Sequence, residues 1–233
     1  MLGGYVFQTA GLQFTTPSKA AFITGSSVVL VPVLLAAFGH RRINAWIWAG
    51  AVAALAGLYF LTVPIEGFRA LNRGDALVFL CAVMFALHII FIGRHIEHHS
   101  VGGLAFLQVV TTALVSAALL PLFAAMGWER PRLHWTGHLI FAFLATAIGS
   151  TVIAFSFQVW AQRHTSPSHT ALLLSLEPVF AALTSWLFVS EHLGSRILLG
   201  AALIFAGILL AELKRPSPVA PESLETIILS RSE

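Results

Sequence analysis

The groups able to do chemistry in this sequence are few, and most stand alone inside apolar stretches. Glu177 is the one carboxylate near the middle of such a stretch, where an ionisable group costs about 2.5–3.5 kcal/mol on insertion scales. It stands seven residues from both Thr170 and Thr184, so an unbroken helix would carry all three on one face. Pro178 follows it and cannot donate to the carbonyl of Leu174, which predicts a bend and a free acceptor beside the carboxylate. Such a face can line a transport pathway, exchange protons with a wet cavity, or fix packing by holding neighbouring donors. His88, alone in its apolar run, fits a proton carrier or a substrate contact, although a lone histidine in a helix is more often a hydrogen-bonded packing residue. Gln108, Thr112 and Ser116 recur at spacing four, a polar stripe suited to a cavity wall or to interhelical hydrogen bonds. Gln158 and Trp160 are further cavity candidates, with Trp160 equally suited to a membrane interface.

Other constellations lead nowhere. The HIEHH run from His95 to His99 puts two imidazoles four apart, but no cysteine or second cluster accompanies it, so solvated histidines are expected and no metal. Ser150 and Thr151 lack a paired base at a convincing spacing. No phosphate loop, dinucleotide fingerprint or HExxH occurs, so neither an enzyme nor a cofactor is expected.

The elements holding these residues must be membrane helices. The 233 residues are 58% hydrophobic and 10% charged, with mean hydropathy +0.86. A water-soluble domain carries about 25% charged residues, so here the apolar excess faces a lipid bilayer. The formal charge of +3 does not indicate nucleic acid, because the basic residues sit at the ends of apolar runs, where membrane anchors belong. Cys81 is the single cysteine, so no internal disulfide forms. A span needs roughly 20 apolar residues. Seven segments qualify: 18–38, 43–62, 75–93, 102–125, 138–162, 168–189 and 195–213. Residues 1–14 are apolar but would make only about 21 Å of helix, too short to cross. Residues 214–233, rich in Pro, Ser and Glu, read as a disordered tail.

An internal repeat orders these segments. Displaced by 150 positions, Thr15, Pro17 and Ser18 fall on Thr165, Pro167 and Ser168, and Gln8 falls on Gln158. Gly50 and Gly57 fall on Gly200 and Gly207, four glycines that predict close helix packing. Pro32 and Pro178 fall one turn apart, so both copies are expected to bend. The reading divides the chain into an incomplete first repeat (1–62), a loop (63–74), a five-helix second repeat (75–213) and the tail (214–233). The same offset places the start of the first copy about 75 residues before Met1, so the sequence reads as N-terminally truncated. Copies with an odd helix count insert in opposite orientations, the inverted arrangement of many transporters.

The stretch HTSPSHTALLLSLEPVFAALTSWLFVSEHLGSRILLGAALIFAGILLAEL resembles the end of a repeat in EamA-type proteins of the drug/metabolite transporter superfamily. FTTPSKAAFITGSSVVLVPVLLAAFGHRRI is similar to the equivalent place in the first repeat. The resemblance implies an all-α polytopic bundle of two inverted five-helix repeats that exports or exchanges amino acids, metabolites or drugs. The family's first two helices and part of its third have no counterpart here. The basic residues split six against six between the two sides, so orientation follows from the resemblance: a bacterial inner-membrane protein with its C-terminal tail in the cytoplasm.

The expected function is therefore secondary transport of small metabolites, amino acids or drugs by alternating access. The expected partners are lipid, a small-molecule substrate, a coupled proton and a second copy in a homodimer. A membrane scaffold without a pathway and an inactive transporter fragment are the alternatives.

Overall fold

The structure is a computed structural model that describes residues 1–39, 43–65, 67, 71–125, 134–189 and 192–213. The predicted tail at 214–233 and residues 66 and 68–70 of the predicted loop at 63–74 lie outside the described residues. All described elements are helical. They are α1 (Leu2–Leu12), α2 (Pro17–Gly25), α3 (Ser27–Gly39), α4 (Ala45–Thr62), α5 (Arg73–His95), α6 (Val101–Ala125) and α7 (Gly137–Leu144). A π-helical segment (Ala145–Ile153) leads into α8 (Ala154–Gln162), α9 (Pro167–Leu174), α10 (Glu177–Val189) and α11 (Ser195–Leu213).

Seven stretches are long and apolar enough to cross a membrane: Pro17–Phe38, Ala45–Thr62, Arg73–His95, Val101–Leu122, Gly137–Gln162, Pro167–Phe188 and Ser195–Leu213. The chain is thus a polytopic helical bundle, as its apolar excess requires. Crossing alternately, the seven place the starts of the first and third on one face and the start of the sixth on the other.

Local sequence explains how the elements begin. Thr16 and Ser166 are N-caps, each followed by Pro at the first helical position, where a missing N–H costs nothing. Asn72 and Asp75 form a capping box that starts α5, each side chain accepting from the other's backbone N–H.

Two of the seven stretches are broken, one of them next to Pro178 and neither at Pro32. The breaks fall at Ser26, between α2 and α3, and at Ser175–Leu176, between α9 and α10. At each, a serine hydroxyl donates to the carbonyl three residues back: Ser26 to Ile23 at 2.6 Å and Ser175 to Leu172 at 2.5 Å. A side chain that claims a carbonyl in this way competes with the helical ladder and bends it. Pro178 is the second residue of α10 and adjoins its break. Pro32, against expectation, lies buried inside α3, past the break rather than at it.

α5 is the centre of the bundle. It packs against α1, α2, α3, α8 and α9, and 44% of its apolar window is buried, against none of the apolar window within Gly137–Gln162. α4 and α11 run antiparallel in close contact. A Cβ at Gly50 would lie 2.5 Å from the Gly207 carbonyl oxygen, and one at Gly57 would lie 2.5 Å from that of Gly200. Glycine is what lets these backbones approach. Val28, Ala51, Ala54, Leu172 and Ala211 fill the space between this pair and the broken helices.

Candidate functional site

α1 is short, and glycine brings it hard against α5. A Cβ at Gly4 would lie 2.8 Å from the Phe85 ring, and one at Gly11 would lie 2.9 Å from the Gly74 carbonyl oxygen. This approach sets Tyr5 edge-to-face on Phe85, with centroids 5.9 Å apart. Phe155 of α8 meets the same Tyr5 ring at 6.2 Å and the His88 ring of α5 at 6.0 Å. The π-helical segment just before Phe155 carries Thr151, whose hydroxyl donates to the Thr146 carbonyl at 3.1 Å, five residues back, and partners the Tyr5 hydroxyl. Wide turns of this kind recur at functional sites because they re-aim the residues that follow.

Gln108 of α6 closes the cluster. Buried to 8% exposure, it donates through Nε2 to the Phe155 carbonyl at 3.3 Å. That bond leaves its Oε1 buried without a partner, and His88 Nε2 is likewise buried without one among the described residues. His88 Nδ1 is 3.4 Å from the Met1 nitrogen. Two orphaned polar atoms in one aromatic-lined place are unusual, since buried polar groups are nearly always hydrogen-bonded. Glu177, the first residue of α10, stands close enough for its charge to act on the Tyr5 hydroxyl. Its side chain is exposed in the described chain rather than sealed in a core. Together the rings, the two hydroxyls, the imidazole, the amide and the carboxylate offer a small solute both donors and acceptors beside apolar faces.

The structure thus brings His88 and Gln108 together, with Glu177 nearby, and leaves the other sequence candidates elsewhere. Thr170 is buried and donates to the Ser166 carbonyl at 3.1 Å; Thr184 is exposed and donates to that of Phe180 at 2.8 Å. The break at Ser175–Leu176 lies between Thr170 and Glu177 and resets the helical phase there, while Glu177 and Thr184, seven apart within α10, keep a common face. Thr112 donates to the Gln108 carbonyl at 2.7 Å, and Ser116 is exposed, so the polar stripe on α6 fades after its first member. Gln8 and Gln158 are half-buried without hydrogen-bond partners among the described residues. Trp160 is 55% exposed beside Phe157 and His164, on the outside of the bundle. His95 Nδ1 and His99 Nδ1 each lie within 3.0 Å of the carbonyl one turn back. Tyr5, Phe85 and Phe155 escape sequence reasoning, because an aromatic in an apolar run gives no signal that separates a cavity wall from a lipid-facing ring.

Comparisons with known proteins agree with this architecture. The model of the EamA-like transporter family matches residues 1–63 and again residues 72–213. An "Uncharacterized transporter" of Archaeoglobus fulgidus is 33% identical over 216 residues, covering 91% of this chain and 65% of its own. The "Threonine/homoserine exporter RhtA" of Salmonella typhimurium is 27% identical over 179 residues, covering 76% of this chain and 58% of its own. The chain thus spans about two thirds or less of the length of these relatives. A chain of known crystal structure superposes with a TM-score of 0.77 at 21% identity, covering 91% of this chain and 72% of its own. Matched on both sides of the loop before α5, the chain belongs to the EamA-like transporter family.

Proposed function

We propose that the chain is the greater part of a secondary transporter that passes a small polar metabolite through the cluster of Tyr5, His88, Gln108 and Phe155. The observation that carries this reading is that two buried polar atoms, His88 Nε2 and Gln108 Oε1, have no hydrogen-bond partner among the described residues. A solute with donors and acceptors would satisfy both. Gln108 Oε1 and the Glu177 carboxylate suit an ammonium, while the Tyr5 and Thr151 hydroxyls and His88 suit a hydroxyl or carboxylate oxygen. Hydroxylated amino acids combine these groups. The similarity to a protein named as a threonine/homoserine exporter makes those two compounds the first to test.

Alternating access is the mechanism we favour. The supporting features are the T-x-P-S starts of α2 and α9, their serine-marked breaks, and the antiparallel glycine contacts of α4 with α11. Under an offset of 150, Gly50 and Gly57 exchange places with Gly200 and Gly207, as a two-fold axis in the membrane plane would require. Proton coupling through Glu177, a homodimer, and a bacterial inner membrane with a cytoplasmic tail belong to the same proposal. The test is flux of labelled threonine and homoserine in proteoliposomes. Saturable flux that falls at least about tenfold in His88→Ala and Gln108→Leu is expected. Flux of neither compound nor of any member of a metabolite panel would overturn the reading.

A further inference from the structure

Outside this cluster, among the described residues, lies a buried ion pair that the proposed pathway does not use. Lys19 Nζ of α2 stands 2.5 Å from Asp75 Oδ2 of α5, with the two side chains 7% and 5% exposed. Thr15 donates to the other oxygen, Asp75 Oδ1, at 2.6 Å, and the Asn72 backbone N–H donates to Oδ2 at 2.8 Å. The turn between α1 and α2 is thereby fastened to the start of α5. Arg73 adds a second contact across the same join, its guanidinium 3.9 Å from the Phe14 ring centroid.

The equivalent turn at the other membrane face is not fastened this way. Under the offset of 150, Thr15 and Lys19 correspond to Thr165 and His169. The Thr165 hydroxyl is buried without a partner. His169 Nδ1 is 2.7 Å from the Ser166 hydroxyl, while Nε2 lies 3.4 Å from the Ala211 carbonyl and 4.0 Å from the Glu212 carboxylate. The two faces therefore differ at corresponding positions: a tight four-residue clasp on one, a loose contact on the other.

A buried ion pair is a poor device for stability alone, because desolvation offsets most of its attraction and apolar packing does as well. What it provides is a join with two acceptable states. Closed, the charges satisfy each other; opened to water at a membrane face, each is solvated. Both residues lie in the first turn of their helices, where water arrives first. We propose that Lys19 and Asp75 form a latch that holds the seam between α2 and α5 shut at this face, and that its release admits water between the two helices.

The chain carries its own reporter. Cys81, the single cysteine, is fully buried six residues further along α5, roughly 9 Å beneath the latch, against Thr24 of α2. Its labelling by a membrane-impermeant maleimide is measured in sealed vesicles of both orientations, with no need to know a substrate. The unsubstituted protein labels slowly from either side. Asp75→Asn and Lys19→Gln are expected to raise the rate by about tenfold or more from the Lys19 face alone. Asp75→Glu retains the charge and the acceptor for the Asn72 N–H and stays near the original rate. Equal behaviour of Asp75→Asn and Asp75→Glu, or a rise of equal size from both faces, overturns the latch. Should Asp75→Asn fail to assemble, Thr15→Val removes one hydrogen bond from the carboxylate and keeps the ion pair. A smaller rise from the same face supports the latch, and no change overturns it.

Discussion

Substituting Gly57 by alanine probes one of the close backbone contacts between α4 and α11. The new methyl would lie 2.5 Å from the Gly200 carbonyl oxygen, 2.7 Å from Ile204 Cγ1 and 3.0 Å from the Ile204 nitrogen. An ordinary contact needs about 3.4 Å, and two of these atoms are backbone, so α4 and α11 must part by about 1 Å. Overpacking of this kind costs about 1–3 kcal/mol, and alanine returns about 0.5–1 kcal/mol of helix preference over glycine. The net loss is on the order of 1–2 kcal/mol, or roughly 2–8 °C in Tm for a chain of this length. Scanning fluorimetry of the purified protein in detergent reads it directly. Because Gly57 and Gly200 press on each other, the double alanine variant should lose at least about 0.5 kcal/mol less than the sum of the singles. Gly102, with nothing within 4 Å of a built Cβ, supplies the control and should tolerate alanine without loss. A Gly57→Ala protein melting within about 1 °C of the original, or strictly additive singles, would refute the packing argument.

Asn72→Ala removes the acceptor for the Asp75 backbone N–H and should cost about 0.5–2 kcal/mol, measured as the same melting shift. Ser175→Ala frees the Leu172 carbonyl from a short hydroxyl bond; a loss of about 1 kcal/mol or less is expected, with amide exchange near residues 172–176 reporting a straighter helix. Trp160→Leu, on the outside of the bundle, should leave metabolite flux unchanged and stability within about 0.5 kcal/mol, in contrast to Gln108→Leu.

The spans are legible in the sequence because crossing a bilayer imposes length and apolarity on every segment. The observed stretches Arg73–His95 and Ser195–Leu213 lie where composition alone puts them. The helix starts at Thr16–Pro17 and Ser166–Pro167 are legible for a local reason, since cap and proline act within three residues. His88 and Gln108 stand out because a polar group in an apolar run must find a use, and the structure brings them together. What fails is anything that depends on helical phase. Spacing seven placed Thr170 beside Glu177 only on the assumption of an unbroken helix, and the break at Ser175–Leu176 removes that assumption. The π-helical segment is silent too, since Ala, Thr, Gly and Ser fit either ladder. Pro32 misleads because a proline can be accommodated inside a helix while a serine hydroxyl, common and inconspicuous, makes the bend six residues earlier.

α5 has a mechanical consequence. It is a strut without proline, and its only glycines, Gly74 and Gly93, lie near its two ends. Each is where another turn bears on it: a Cβ at Gly74 would lie 2.7 Å from the Gly11 carbonyl oxygen, and one at Gly93 would lie 2.5 Å from Pro167 Cγ. The two bearings are about 28 Å apart along the axis. A stiff rod pivoting at its middle moves its ends in opposite directions, so a tilt of about 4° that relieves one bearing by about 1 Å loads the other equally. Leverage of this kind couples the two membrane faces through rigidity alone, with no signal passed from side chain to side chain.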